Sequence, residues 1–275
     1  MSLRTRTQFP AALSELRLLR REHLATGVTR VTLAGDLGGL PELSGGAWAP
    51  DDRVKLFLPD PATGVLTPPR IGADGGILRP ADAVSVSRDF TPSRVRAGGA
   101  GDAELDLDVV SPGANGPGTE WLLGAEAGES AVLAHPRFSR SVPGADAVAE
   151  FVLVADETGF AAAARWLAAL DPGIRVSAVF LGEDDGYEEF LPAELRSRAS
   201  IDWLYRVDGP GQLREAVASI PLGERSFVWA AGEAGELAPI RRELLATLPP
   251  ERVDLTGHWR RGLVNHDPDL ELDRI

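Results

Sequence analysis

The sequence predicts an N-terminal antiparallel β-barrel followed by an α/β domain with a five-stranded parallel sheet. Two observations carry this. In the first half, short segments alternate apolar and polar residues with period two between turn residues, the pattern of strands with one wet face. In the second half, continuous apolar runs alternate with helical segments, the pattern of strands buried on both faces beneath helices. A third observation points to a ligand. Arg88-Asp89-Phe90-Thr91-Pro92-Ser93-Arg94 follows the alternating run Ala83-Val84-Ser85-Val86. On a strand, Arg88 and Phe90 share one face, and Asp89 and Thr91 the other. A flat, phosphorylated ligand needs such a set: a ring to stack on, a hydroxyl to bond heteroatoms and a guanidinium for phosphate. The same residues also suit an edge strand entering a proline turn, with both arginines solvated.

Taken in order, strands are expected at 14–22 and at Val28–Ala34, where Gly35-Asp36 is the stop. Arg53–Leu58 alternates basic and apolar residues until Pro59 ends it. A Gly/Pro-rich loop, Asp60 to Pro80, leads into the arginine stretch. Ala103–Val110 places acids on its wet face, and Ala127–Ala134 supplies a turn and the last barrel strand. Together these read as a closed all-β barrel. Between the last two strands lies Ser111–Thr119, rich in glycine and proline, followed by Glu120-Trp121-Leu122-Leu123. Thr119 is expected to cap a short helix whose first N–H groups form an anion site. A capped helix crossing the barrel end fits the pattern equally well.

Ser139–Glu150 reads as a linker, so the domains are placed at residues 1–143 and 144–275. Phe151–Ala155, Val176–Leu181, Ile201–Tyr205, Ser226–Ala230 and Arg252–Thr256 are the expected parallel strands. Helices are expected over Phe160–Leu170, Gly211–Ser219 and Gly235–Leu248. In such sheets a ligand lies beyond the carboxyl ends of the strands. Those ends carry Asp156-Glu157-Thr158, Glu183, Arg206, Gly232-Glu233 and Gly257-His258-Trp259. There is no G-x-G-x-x-G fingerprint, so a nicotinamide nucleotide would be held through the turn after the first strand. Glu183-Asp184-Asp185, after the second strand, favours a free ribose 2′-hydroxyl and hence NADH over NADPH. A solvated acidic loop is the competing reading of those acids.

Composition removes several classes. The chain has 275 residues, is 44% hydrophobic and carries a formal net charge of −13. That charge argues against nucleic-acid and anionic-membrane partners. The absence of cysteine excludes disulfides, thiolate metal sites and cysteine nucleophiles. His23, His135, His258 and His266 lack metal-ligand spacing and read as surface or turn residues. No metal site and no catalytic side chain is expected. No apolar run approaches a membrane span and the N-terminus lacks the apolar core of a signal peptide, so a cytoplasmic protein is expected, and a monomer because no exposed apolar stripe is evident.

Five short segments, in order, resemble the siderophore-interacting protein family of ferredoxin-reductase-like flavoenzymes. Arg88-Asp89-Phe90-Thr91 is similar to its R-x-Y-T flavin motif, and Gly116–Trp121 to G-P-A-[ST]-x-W. Asp156-Glu157-Thr158 matches D-E-T, Trp229–Glu233 matches W-A-A-G-E and Gly257–Gly262 matches G-Y-W-R-x-G. The resemblance spans roughly Leu16 to Gly262. Departures are Phe90 for tyrosine, Ser93 for a basic residue followed by Arg94, Ser111-Pro112-Gly113 where His-Gly is common, Gly118 for alanine and His258 for tyrosine.

The resemblance implies an FAD-dependent reductase of ferric siderophores, with NADH or NADPH as donor and a ferredoxin as the other donor to consider. A flavin reductase with a different acceptor, or a flavin- or siderophore-binding protein without turnover, is the alternative. Phe90 would lie against the flavin ring and Thr91 would bond it. Arg88, Gly116, Gly118 and Thr119 would take the pyrophosphate, with Arg94 in reserve. Asp156, Glu157, Thr158, Glu183, Gly232 and Glu233 would line the nicotinamide side, and Trp259 and Arg260 would close over the flavin. Arg53, Lys55 and Arg137, with Arg94 and Arg96, would draw in an anionic ferric chelate.

Overall fold

The computed structural model describes residues 3–40, 48–82, 86–97, 102–111 and 116–263. They form two compact units, one of residues 6–141 and one of residues 142–263 joined by residues 3–5. The first unit contains β1 (Arg6–Gln8), β2 (Leu13–Ala25), β3 (Val28–Gly35), β4 (Val54–Leu58), β5 (Arg70–Ile71), β6 (Ile77–Leu78), β7 (Val86–Phe90), β8 (Pro92–Ala97), β9 (Ala103–Val110), α1 (Pro117–Gly124), β10 (Ser130–Ala134) and β11 (Phe138–Arg140). Seven of these make one antiparallel sheet in the order β7-β4-β10-β2-β3-β9-β8. Its inward residues, among them Leu16, Leu33, Leu56, Leu105 and Leu133, are fully buried and form the barrel core with Leu122 of α1.

β7 and β8 are the two edges of that sheet, and the described residues show no ladder between them. The barrel is therefore a half-barrel, not the hydrogen-bonded closed one expected. The reason is local: Thr91 separates the two edges and Pro92, which opens β8, has no N–H to donate. The expected run at 83–86 lies outside the described residues except for Val86, as do residues 112–115 of the loop before α1. Two small sheets were not anticipated. β5 pairs β6 inside the loop read as structureless, and β1 pairs β11 at the segment read as a linker.

His135 also departs from the surface role expected of it, being only 5% exposed. Ser14 donates its hydroxyl to the carbonyl of Asp36 at 2.5 Å and lies 2.8 Å from His135 Nε2. The hydroxyl proton is committed, so His135 donates from Nε2. Burial pushes its pKa below the ordinary value, against the Gly39 backbone and the Asp36 charge. Between that lowered pKa and the unfolded value near ~6.5 the unfolded chain binds more protons, so stability rises with pH across that window. The melting temperature is expected to fall as pH drops below this value. His135→Gln should flatten that slope in thermal melts monitored by circular dichroism.

The second unit carries β12 (Glu150–Asp156), α2 (Phe160–Ala169), β13 (Arg175–Gly182), α3 (Ala193–Arg196), β14 (Ser200–Tyr205), α4 (Gln212–Ser219), β15 (Ser226–Glu233), α5 (Ala234–Leu245) and β16 (Val253–Trp259). All five strands are parallel, in the order β14-β13-β12-β15-β16. The chain reverses direction across the sheet between β12 and β15, which is the switch point where such folds bind ligands. β15 is buried along its whole length, as its apolar run predicts. Strands β15 and β16 run on through Gly232-Glu233 and Gly257-His258-Trp259, residues expected just past them. Arg4 is tied to this unit: it lies over the Trp166 ring at 4.9 Å and bonds Asp254 at 2.5 Å. Among the described residues no helix is long and apolar enough to cross a membrane.

Candidate functional site

In the barrel unit, the site is built where β7 meets α1. The register places Arg88 opposite Leu56, Asp89 opposite Lys55 and Phe90 opposite Val54. Leu56 and Val54 are core residues, so Arg88 and Phe90 lie on the inward side at the sheet edge, and Phe90 packs against the core. Asp89 and Lys55 pair on the outer side at 2.7 Å. The face-sharing read from the sequence therefore holds for Arg88 and Phe90. Thr91, half-buried, sits in the turn between the two edge strands rather than on either.

Helix α1 begins at Pro117, three residues earlier than a Thr119 cap requires. Its N-cap is Gly116 and no side chain caps it. Proline suits the first helical position because its missing N–H would be unpaired there anyway. Among the described residues the N–H groups of Gly118 and Thr119 have no partner, and they lie in the positive field of the helix start. Gly118 lies so close to β7 that a Cβ on it would sit 2.7 Å from Arg88 Cγ. A Cβ on Gly116 would meet nothing within 4 Å among the described residues. Burial lowers the Arg88 pKa, with Asp89 as the opposing charge, and its Nη1 bonds the Ser87 carbonyl at 2.8 Å. A half-buried guanidinium held against an uncapped helix start suits a pyrophosphate, and Phe90 beside it offers a ring face. The Trp121 indole nitrogen on the same helix is buried without a hydrogen-bond partner among the described residues. These residues fit FAD.

The remaining cations of the barrel are dispersed. Arg53 and Lys55 flank the start of β4, Arg94 is exposed on β8 and Arg137 follows β10, where it donates to the Gly75 carbonyl at 2.9 Å. Arg96 is engaged by Asp106 and Glu104.

In the α/β unit, the strand ends converge on Asp156 and Arg206. Asp156, 1% exposed, accepts from Thr158 N at 2.9 Å and Thr158 Oγ1 at 2.5 Å. Its other oxygen accepts from Trp259 Nε1 at 2.8 Å. A bulge between β15 and β16 makes this possible: Gly232 pairs Gly257, but Glu233 pairs Trp259, skipping His258. Neighbouring strand residues ordinarily face opposite ways. The bulge lets Trp259 reach Asp156 while His258 Nδ1 lies 3.1 Å from the Thr158 carbonyl. Two glycines allow the close approach that a fingerprint would otherwise provide. A Cβ on Gly232 would be 2.9 Å from Asp156 Cγ, and one on Gly159 would be 3.0 Å from the Ala231 carbonyl oxygen.

Arg206 bonds Glu157 through Nε at 3.2 Å and Nη2 at 2.8 Å. Asp156 stands at 3.5 Å, and Glu183 and Glu236 at 3.8 Å. Burial would lower its pKa; Glu157, Asp156 and Glu236 together overturn that and raise it. Burial pushes Asp156, Glu157 and Glu236 above the usual carboxylate range, because one guanidinium cannot offset them all. Glu233 is already committed as the cap of α5, accepting from Glu236 N at 2.7 Å and Arg261 N at 3.0 Å. Arg260 is half-buried after β16. The structure thus gathers Asp156, Glu157, Thr158, Glu183, Gly232, Glu233 and Trp259 at one end of the sheet. Arg206 and Glu236 complete the set. Arg206 stood out in the sequence as a strand-end residue, whereas Glu236, inside a helix, had no local signal.

A flavin-type antiparallel half-barrel followed by a five-stranded parallel sheet defines the ferredoxin-reductase-like class. The ferredoxin reductase of carbazole 1,9a-dioxygenase shares this fold, with a TM-score of 0.59 at 15% identity over 90% of this chain and 67% of that one. Residues 17–140 match the siderophore-interacting FAD-binding domain, and residues 148–262 match the siderophore-interacting protein family. The chain belongs to the siderophore-interacting protein family. A siderophore utilization protein from T. fusca superposes with a TM-score of 0.82 at 31% identity, covering 97% of this chain and 99% of that one. Ferric vibriobactin reductase ViuB of Vibrio cholerae is 28% identical over 258 residues, 90% of this chain and 89% of that protein.

Proposed function

We propose that this protein is an FAD-dependent oxidoreductase that reduces ferric siderophores, with NADH or NADPH as its electron donor. The observation that carries the flavin assignment is the pairing of Arg88 with the uncapped start of α1 across Gly118. It lies in the segment that matches a siderophore-interacting FAD-binding domain. The names of the curated relatives, ferric siderophore reductases, support the acceptor.

Bound FAD would supply the conversion of a two-electron donor into single-electron transfers. The chain's own residues bind and orient. Arg88 and the N–H groups of Gly118 and Thr119 hold the pyrophosphate by charge-assisted hydrogen bonds. Phe90 supports the ring by stacking, and lacks the hydroxyl that a tyrosine would offer it. Asp156 fixes the Trp259 indole, and Glu157 fixes Arg206. The substrate is a ferric chelate, and one electron per iron gives Fe(II), which hard oxygen ligands hold less tightly. No side chain has to move a proton in that step.

An anaerobic absorbance titration tests this. The purified protein is reconstituted with FAD and titrated with NADH or NADPH, then with a ferric hydroxamate or catecholate. Bleaching of the flavin band by a nucleotide, followed by its return on adding the chelate with one Fe(II) trapped per electron, is the expected result. A flavin that bleaches but ignores every chelate would move the acceptor elsewhere. A flavin that no nucleotide bleaches would remove the nicotinamide donor and leave a ferredoxin to be tried.

A further inference from the structure

Beyond the carboxyl ends of β13, β14 and β15 lies a cleft of about 610 Å³. Glu183, Arg206, Gln212, Arg214, Glu236 and Arg261 are among its lining residues. Glu183 directly follows the second strand of the sheet order, the position whose acid bonds the ribose 2′-hydroxyl in dinucleotide-binding sheets. An arginine nearby is what accommodates a 2′-phosphate in such sheets. Arg206, directly after β14, stands there.

Its guanidinium has two different sides. The Nε and Nη2 edge is locked by the bidentate bond to Glu157, which is 5% exposed. Nη1 makes no hydrogen bond among the described residues, and Glu236 Oε1 stands 3.8 Å from it. Glu183 flanks Nε at the same distance. These two outer acids are the more accessible ones, 46% exposed for Glu183 and 28% for Glu236. Glu236 Oε2 is buried without a hydrogen-bond partner, so this acid is poorly satisfied where it sits. The other cations of the cleft do not replace Arg206. Arg214 is bound to Glu243 at 2.7 Å, and the Arg261 side chain is 74% exposed and so screened by water.

We propose that this cleft is a masked 2′-phosphate site: Glu236 beside Nη1 and Glu183 beside Nε screen the Arg206 guanidinium, so the chain takes the adenosine end of NADH and rejects that of NADPH. The inference rests on the nicotinamide-donor reading and deepens it. A 2′-phosphate entering the cleft meets two carboxylates before it meets the guanidinium, and like charges brought together in a half-buried site oppose binding. A free 2′-hydroxyl instead donates to Glu183. Removing the two outer charges leaves the Glu157 lock intact and turns Nη1 of Arg206 into a phosphate ligand.

The test is calorimetric binding of ADP-ribose and of its 2′-phosphorylated form to the full FAD-loaded chain, with no turnover required. The wild type is expected to prefer ADP-ribose by at least about tenfold. Glu236→Gln should strengthen binding of the 2′-phosphate form by about tenfold with little change for ADP-ribose, and Glu183→Gln/Glu236→Gln by about a hundredfold. Adding Arg206→Lys to the double variant, which keeps the charge but not the fork, should remove most of that gain. Thermal melts of each variant separate loss of folding from loss of affinity. A wild type that prefers the 2′-phosphate, or a double variant that gains nothing for it, overturns the proposal while leaving the donor reading in place. Failure of the wild type to bind either probe at millimolar concentration would instead remove the nicotinamide donor itself, and the proposal with it.

Discussion

Arg88→Ala is expected to give a folded protein that purifies without flavin. The guanidinium is half-buried at the barrel edge, and burial already lowers its pKa, so the fold gains little from its charge. On the proposed reading its value is to a phosphate group. Losing two charge-assisted hydrogen bonds to a pyrophosphate should weaken FAD binding by on the order of a hundredfold or more. Arg88→Lys should recover part of this, since a lysine keeps the point charge without the fork. Gly118→Val should act through the same contact, because its first side-chain carbon would already stand 2.7 Å from Arg88 Cγ. Titration of the apoprotein with FAD, followed by quenching of flavin fluorescence, measures all three. Undiminished affinity in Arg88→Ala would place the pyrophosphate elsewhere, and an unfolded Arg88→Ala would mean that the arginine serves the barrel itself.

The second large effect is expected at Arg206. Arg206→Ala removes the counter-charge of Asp156 and Glu157, which are 1% and 5% exposed as side chains. Stranding buried carboxylates costs about 3–5 kcal/mol, a large share of a domain's stability. The loss should depend on pH in a definite sense. Burial raises the pKa of Asp156 and Glu157 above the ordinary carboxylate range even with Arg206 present, and removing the arginine raises them further. A folded state with raised carboxylate pKa values binds more protons than the unfolded chain, so its stability falls as pH rises through that window. The deficit of Arg206→Ala should therefore be large at pH 8 and shrink toward pH 4.5. Urea unfolding at the two values checks this. A deficit that does not change with pH would show that Arg206 contributes through packing over Trp259, whose ring centre lies 5.8 Å from the guanidinium carbon, rather than through charge.

Much of this molecule is legible locally. Period-two alternation is enough to place β2, β3, β4 and β9 within a few residues, because one face of each strand must be apolar. The unbroken apolar runs at Phe151–Ala155 and Val176–Leu181 demand burial on both faces, and parallel strands under helices supply it. Arg88 and Phe90 share a face for the same reason of period. The start of α1 was misplaced because Thr119 offers a cap in the sequence, while Pro117 and Gly116 settle the matter by backbone geometry.

What was not legible depends on long-range contact. Arg4 belongs to the second unit because Trp166 and Asp254 are brought to it by folding. His258 and Trp259 both reach the Asp156 turn only through a bulge whose cause lies in the pairing of two strands. Arg206 reads in the sequence as one basic residue after a strand. Only the convergence of β12, β13, β14 and α5 surrounds it with four carboxylates. Hydrophobic period is a property of neighbours along the chain, so it survives in one dimension. Charge pairing among residues about 50 positions apart is set by tertiary packing and has no local trace.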